Sequence, residues 1–541
     1  MQRNLLPMTP LQKRRMAFKP TLPQILDNLE QVTFTGKGHT SSIGDAQEIK
    51  EFFPKTFGQP ILYPIEGARK EQTSLHKPLK VGVVFSGGPA AGGHNVITAL
   101  FDSLQLLHPQ NRLVGFLEGP SGIIERKYRD LSKEVVDLYR NQGGFDMIGS
   151  GRTKIESNEQ LVKSFDTIQD LQLDGLVIIG GDDSNTNAAV LAEYCMQRGS
   201  PVRVIGVPKT IDGDLKSDLV EISFGFHSAC QTYSELIGNI ARDALSSKKY
   251  THFIKLMGRS ASHVSLECAL QTNPNLTLIG EEILKKKQTL KEITCQIADL
   301  IEQRQNKGKN YSIILIPEGL IGFIPEIKAL IEELNKLPSK GQDIEKLSKK
   351  AQTTLGFLPK TIQKQLLLDR DPHGNIQLSH IQTELLLSTT VKNELQKRPS
   401  FKDKFHAIHH FFGYEGRSGF PTYFDATYCY ALGYVTTLLI REGYSGYMSC
   451  VRNLTQNSRE WQICGVPITS LMNLEMRKGK RKPVIRKALV DLNGKAFKSF
   501  ERERSRLLLS DYYLYPGPIQ FEGEDLSITS TPRSLINSMQ Y

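Results

Sequence analysis

Leu176-Val177-Ile178-Ile179-Gly180-Gly181-Asp182-Asp183-Ser184 is the stretch that decides the fold. An apolar, mostly β-branched run leads straight into two glycines and two carboxylates. It is short and lacks polar alternation, so it reads as a strand buried on both faces of a parallel sheet. Such strands deliver their functional groups at the C-terminal edge. Further along, Val204-Ile205-Gly206-Val207 leads in the same way into Pro208-Lys209-Thr210-Ile211-Asp212-Gly213-Asp214. Carboxylates hold a divalent cation while bare glycine amides approach an anion, so acids beside glycines suit Mg²⁺ and phosphate. Together the two segments read as a phosphoryl-transfer site.

Outward from this centre the chain alternates strand and helix. Strands are expected at Val81–Phe85, Leu113–Leu117, Leu176–Ile179, Val202–Val207, His252–Leu256, Leu276–Ile279, Ser312–Ile316, Ala407–Tyr414 and Gly446–Val451. Helices are expected at Gly93–Leu107, Asn187–Gln197, Ser228–Leu245, Ser262–Thr272 and Thr422–Arg441. The alternation predicts a doubly wound α/β architecture. Residues 326–404 change to amphipathic Lys/Glu/Gln/Leu-rich stretches, read as a helical insertion solvated on one face. Residues 1–77 are Pro-punctuated and read as an extension wrapping the core; residues 477–541 form a tail that opens on a basic block.

A chain of 541 residues exceeds one ordinary core, so two or three domains are expected. With 39% hydrophobic and 23% charged residues the composition is that of a soluble globular protein. No run reaches the apolar length of a spanning helix, and the first residues lack the apolar centre of a signal peptide. The seven cysteines are scattered without a CxxC pair, which suits reduced thiols in a cytoplasm. The net charge of +11 fits a small anionic substrate and, by itself, equally fits nucleic acid.

Ser86-Gly87-Gly88-Pro89-Ala90-Ala91-Gly92-Gly93 joins a strand to a helix, where glycines let backbone amides close on a phosphate. It is neither a GxGxxG fingerprint nor a Walker A loop, and a plain tight turn would look similar. Asp182 is the candidate metal ligand with Asp183 beside it, although either would also cap a helix starting near Asn187. Asp212 is placed to accept a hydroxyl proton and Lys209 to neutralise phosphate oxygens. Asp212 and Asp214 also suit a turn at Gly213. Met257-Gly258-Arg259, Pro317-Glu318-Gly319 and Tyr414-Glu415-Gly416-Arg417 each close a strand and offer groups for a sugar phosphate. Gly149-Ser150-Gly151-Arg152 adds an arginine that would meet a transferring phosphoryl group. His409-His410 is no metal pair, because strand neighbours face opposite ways. The basic block Arg477-Lys478-Gly479-Lys480-Arg481-Lys482 carries no interleaved aromatic and reads as a solvated face, not a nucleic-acid patch.

These motifs in this order resemble the phosphofructokinases, specifically the long diphosphate-dependent type, over residues 80–320 and 405–475. The resemblance implies two doubly wound domains: a donor domain at 78–225, a fructose 6-phosphate domain at 226–325, and returns to each at 405–415 (sugar) and 416–476 (donor). It implies reversible phosphoryl transfer from diphosphate to the 1-hydroxyl of fructose 6-phosphate, a glycolytic step. Gly87 would contact the donor, Arg152 its transferred phosphoryl, Asp182 the Mg²⁺, and Asp212 would be the base. Thr210, Asp212, Met257, Gly258, Arg259, Glu318, Tyr414, Glu415, Gly416 and Arg417 would line the sugar-phosphate pocket. Lys249 and Tyr250 fall where the family reaches into a neighbouring subunit's site, implying a homodimer or higher homo-oligomer.

Relatives that use ATP carry glycine at the positions of Asp183 and Lys209, and Asp at that of Pro89. A carboxylate at 183 would occupy the place of a nucleotide's α-phosphate, with a repulsion of roughly 4 kcal/mol at a few Å. Lys209 would stabilise a diphosphate leaving group. Ala91, Gly93-His94-Asn95 and Ile408 depart from the family's usual pattern. The rival readings are an ATP-dependent phosphofructokinase, a non-catalytic regulatory subunit of the family and, more distantly, an NAD kinase or a nucleic-acid-binding protein. Partners are expected to be small molecules and copies of the chain, with no nucleic acid and no membrane.

Overall fold

The computed structural model describes residues 10–67, 77–337, 344–368, 376–401, 405–477, 479–518 and 534–535. They divide into two compact units, one comprising residues before Cys230 with Gly416–Ala488, the other Cys230–Glu415 with Leu489–Pro518.

The first unit is built on a mixed nine-stranded sheet among the described residues. Its parallel centre runs Tyr447–Arg452, Arg203–Pro208, Gly175–Gly180, Lys80–Phe85, Arg112–Phe116. From Lys80–Phe85 the chain first steps outward to Arg112–Phe116. It then returns to place Gly175–Gly180 and Arg203–Pro208 on the other side. The reversal makes the ends of Lys80–Phe85 and Gly175–Gly180 a topological switch point, where open α/β sheets bind ligands. Gly175–Gly180 is buried at every position, which explains its unbroken apolar run.

Helices Asp182–Gln197, Gly93–Leu107, Asn158–Asp170 and Tyr423–Arg441 accompany this sheet. Gly93–Leu107 and Tyr423–Arg441 approach closely at Gly433, where a Cβ would lie 2.5 Å from Ala99 Cβ. Asn158–Asp170 starts at Ser157, whose side chain accepts from Gln160 N while the Gln160 side chain answers the cap backbone.

The N-terminal segment does more than wrap the core. Val32–Lys37 and Ile61–Glu66 pair antiparallel and join the main sheet through Leu62 and Gly465. The basic block also has a regular place: Met472–Arg477 and Lys480–Ile485 form a β-hairpin.

The second unit carries a four-stranded parallel sheet ordered Ala407–Phe412, Tyr250–Leu256, Tyr311–Pro317, Leu276–Thr277. The helical stretch after Glu326 is integral to this unit. Leu330, Leu355, Ile362, Leu387 and Val391 share one apolar core with Phe253, Ile314 and Ile316 of the sheet. Burying each such side chain stabilises by about 1.5–3 kcal/mol, so the helices and sheet hold each other. Lys255 reaches from the sheet to donate to Ile381 O at 3.0 Å and lies 3.3 Å from Glu384. His409 and His410 find different partners: Ser388 Oγ at 2.6 Å for His409, and His252 at 3.0 Å for His410.

Candidate active site

In the first unit, the switch point gathers the candidate donor residues. Ser86–Gly88 leaves strand Lys80–Phe85, and Gly87 N donates to Gly151 O at 2.8 Å while Ser150 Oγ donates to Gly87 O at 2.5 Å. Gly87 sits at φ +90°, a conformation that favours glycine. At Gly88 a Cβ would lie 1.9 Å from Arg417 Nη2, so a larger residue would displace that guanidinium. These residues, with Arg152 and Phe145, line a cavity of about 640 Å³. The unusual Gly93-His94-Asn95 braces its wall. His94 Nε2 accepts from Met147 N at 3.3 Å, and Asn95 donates to Asn141 at 2.7 Å.

Lys209 is buried, and its Nζ donates to Gly88 O at 2.8 Å. Burial lowers its pKa from 10.5 to about 8; Arg417 and Arg152 add to the fall, while Asp212 and Asp182 oppose it. Thr210 Oγ1 accepts from Asp212 N at 3.1 Å, and Gly213 at φ +72° turns the chain so that Asp212 and Asp214 sit on one loop. Lys209 and Asp212 are thus brought into one electrostatic cluster with Asp182, Arg152 and Arg417.

The helix after Gly181 starts five residues earlier than the expected Asn187: it runs Asp182–Gln197. Asp182 and Asp183 therefore occupy its first turn, where carboxylates complement the helix dipole, and neither is the cap residue. Ser184 Oγ donates to Ser86 Oγ at 2.8 Å, tying this helix to the glycine turn.

Two expectations need correction here. Asp183 is no isolated charge: Arg477 Nη1 is 2.5 Å from Oδ1 and Lys154 Nζ 3.0 Å from Oδ2. Burial pushes this carboxyl up, but the two cations outweigh it and hold its pKa below the ordinary value. A repulsion of roughly 4 kcal/mol, argued for a lone carboxylate, is largely cancelled by two cations in contact with it. The basic block is a solvated face at Lys480 and Arg481, which are exposed, but Arg477 turns inward. Arg477 pairs with Asp183, Arg481 with Asp45 at 2.8 Å, and Lys482 with Glu156 at 2.8 Å. Lys478 lies outside the described residues.

Lys487, which follows the hairpin, stands 3.6 Å from both Asp182 and Asp214. Sequence reasoning singled out neither Lys154 nor Lys487. The alternation around Lys478-Gly479 was the available hairpin signal. No group of three or more His, Cys, Asp or Glu forms a metal cage among the described residues. Asp182 offers one carboxylate, with Lys487 3.6 Å away, and a Mg²⁺ there would need substrate phosphates and water to complete its shell.

In the second unit, parallel register gathers another cluster. Leu256 pairs with Phe412 on one side and Pro317 on the other, so Met257, Tyr414 and Glu318 leave neighbouring strand ends together. Glu318 is buried and accepts from Gly258 N at 3.0 Å. Gly319 packs against Arg259, where a Cβ would lie 2.1 Å from Arg259 O. Glu415 accepts from Gly413 N at 2.7 Å. Arg259 is exposed, and Tyr414 is 71% exposed. Lys249 and Tyr250 stand apart from this cluster, at the opposite end of strand Tyr250–Leu256. Seven residues of strand span about 20 Å.

An α/β protein that collects glycine amides, a buried ammonium and several carboxylates at its switch point belongs to the class that handles phosphate anions. The phosphofructokinase family profile matches residues 80–440, and the chain belongs to that family. It is 52% identical over 493 residues to the pyrophosphate–fructose 6-phosphate 1-phosphotransferase subunit beta 2 of Arabidopsis thaliana, covering 90% of this chain and 86% of that one. It is 47% identical over 528 residues to the pyrophosphate–fructose 6-phosphate 1-phosphotransferase of Entamoeba histolytica, covering 95% and 96%. Among solved structures, the pyrophosphate-dependent phosphofructokinase of Nitrosospira multiformis shares the fold with a TM-score of 0.56 and 14% identity. The match covers 83% of this chain and 95% of that one.

Proposed function

We propose that this protein transfers a phosphoryl group reversibly from diphosphate to the 1-hydroxyl of fructose 6-phosphate, giving fructose 1,6-bisphosphate and phosphate. The observation that carries the reading is Lys209: a buried ammonium against the glycine turn, in a chain whose relatives are named for this reaction across nine-tenths of its length. A buried cation beside a polyphosphate stabilises the charge that collects on the leaving phosphate.

Gly87, Gly88 and Arg152 bind and orient the diphosphate. Lys209 neutralises the oxygens of the leaving group. Asp212 accepts the hydroxyl proton as the sugar oxygen attacks. Asp182 would hold a Mg²⁺, which would neutralise charge on the donor when bound. Within the first unit, Thr210, Gly416 and Arg417 orient the sugar phosphate. Within the second unit, Met257, Gly258, Arg259, Glu318, Tyr414 and Glu415 form a sugar-phosphate grip. Glu318 accepts sugar hydroxyls, and Arg259 clamps the 6-phosphate.

Lys249 and Tyr250 lie at the opposite end of their strand, and the family resemblance implies that they act in the site of a second copy, in a homodimer or larger homo-oligomer. Six of the seven cysteines are buried and none is in a disulfide, and no described helix is long and apolar enough to cross a membrane. We place the protein in the cytoplasm.

The reverse reaction provides the test. Fructose 1,6-bisphosphate incubated with orthophosphate and Mg²⁺ is expected to yield a diphosphate resonance in phosphorus NMR. A spectrum without diphosphate, in an enzyme that makes fructose 1,6-bisphosphate from ATP, would overturn the reading.

A further inference from the structure

Asp425 is a buried carboxylate that the mechanism above does not use. It lies in the first turn of helix Tyr423–Arg441, where its backbone N–H donates to the cap residue Thr422 at Oγ1, 3.2 Å away. Its side chain accepts three hydrogen bonds from a distant segment of the same unit. Gly225 N donates to Oδ1 at 3.1 Å, while Ser228 N and Ser228 Oγ donate to Oδ2 at 2.8 and 2.6 Å. Ser228 Oγ accepts in turn from Thr422 N at 2.9 Å. A charge at that depth is costly, and a neutral side chain caps a helix equally well, so the charge calls for a task.

The held segment supplies one, because it lies against the loop that carries Lys209 and Asp212. Phe224 N donates to Pro208 O at 3.2 Å, Ser223 Oγ donates to Thr210 O at 3.1 Å, and Lys209 and Phe224 form a parallel bridge. Tyr428, on the same helix as Asp425, donates to Ile222 O at 2.7 Å. Gly225, at φ +89°, also passes close to the glycine turn: a Cβ there would lie 2.5 Å from Ala90 Cβ and 3.5 Å from Ile211 Cγ2.

We propose that Asp425 is a positioning residue for the phosphoryl transfer, holding Gly225 and Ser228 so that Lys209 and Asp212 keep their place against the glycine turn. This rests on the roles given to Lys209 and Asp212 above. The carboxylate accepts all three bonds only when ionised, since a protonated oxygen would face donors with a donor. Burial raises its pKa to about 6, and the bonds from Ser228 and Gly225 oppose the rise. Two titratable groups stand near it, Cys429 on its own helix and His227 beside Thr422. Burial raises the first well above its ordinary value and lowers the second to about 3, so both are neutral where Asp425 titrates. The glycine turn meets Asp425 through Gly92, which brings no charge.

The test is kcat for fructose 1,6-bisphosphate formation from diphosphate, at saturating substrates between about pH 5 and 7, in wild type and Asp425→Asn. The ratio of the two cancels the titration of the substrates. It is expected to be about 10–100 at pH 7, the cost of misplaced reacting groups, with both KM values within roughly 2-fold of wild type. Near pH 5 the ratio should shrink toward about 1, because wild type then also lacks the charge. Ser228→Ala is the second variant and decides the matter if Asp425→Asn does not fold. It keeps the carboxylate and removes one donor, so the pH at which kcat falls should move up by about one unit. A cap that only holds the fold would lower stability without moving that pH. An Asp425→Asn variant with wild-type kcat at pH 7, a ratio constant across the range, or an unmoved fall in Ser228→Ala would overturn the proposal. Failure of the function reading shows elsewhere, as wild type that forms no fructose 1,6-bisphosphate from diphosphate at any pH.

Discussion

The strand-end clusters of the two units are built alike and finished differently. In the first, Lys209 is buried, and Asp182 and Asp183 have lysine or arginine partners. In the second, Glu318 alone of the named groups carrying a full charge is buried, while Arg259 and Tyr414 face solvent. Fixed, desolvated charges stabilise a transition state without reorganising, whereas exposed ones mainly attract and hold. We propose that the first unit's cluster carries the chemistry and the second unit's the sugar-phosphate grip. Variants in the first should change kcat, and variants in the second should change the KM for fructose 6-phosphate.

The largest effect belongs to the base. Asp212→Ala is expected to lower kcat by about 10²–10⁴ with little change in the KM for fructose 6-phosphate. Near-normal turnover in steady-state assays would remove Asp212 from the mechanism.

Lys209→Met comes next, with kcat/KM for diphosphate falling by about 10²–10³. The same variant should fold more stably. A lysine whose folded pKa is lowered from 10.5 to about 8 binds fewer protons folded than unfolded between those values, so stability rises with pH across that window. At pH 7 the buried charge costs on the order of 3 kcal/mol, which Met does not incur. Denaturant unfolding of wild type and variant at pH 7 measures the difference, and a less stable Lys209→Met would contradict it. In wild type, kcat/KM for diphosphate should fall as pH rises through about 8, where Lys209 loses its proton.

Arg259→Ala is expected to raise the KM for fructose 6-phosphate about 10-fold while kcat changes less. A fall in kcat at constant KM would break the division between the units. The smallest effect should come from Lys482→Gln. Its exposed pair with Glu156 is worth about 0–1 kcal/mol, and turnover should stay within roughly 2-fold of wild type.

The strands that build both clusters were legible because buried parallel strands announce themselves. Val204–Val207 and Ser312–Ile316 are apolar at almost every position and end on Pro, Lys or Glu. Helix Gly93–Leu107 has the bounds that its spacing predicts. The start of helix Asp182–Gln197 was misplaced because Asp and Ser near a glycine pair look like caps. Here Gly181 holds the cap position and the acids sit inside the first turn. Strand Ile61–Glu66 was hidden by Pro64, a residue that argues against a ladder strand.

The ion pair between Arg477 and Asp183 could not be read at all. The partners are 294 residues apart, and nothing local in a run of lysines and arginines says which of them meets a carboxylate. Grouping Arg477 with a solvated face followed from treating the run as uniform. Its strand position instead gives each side chain a different neighbour.

Donor choice tests the central claim most directly. The measurement is the ratio of kcat/KM for diphosphate to that for ATP at fixed Mg²⁺, in wild type and in Asp183→Gly. The account predicts a strong preference for diphosphate in wild type and a ratio that falls in Asp183→Gly as ATP use rises. A wild type that prefers ATP, or an Asp183→Gly variant whose use of ATP is unchanged, would contradict it.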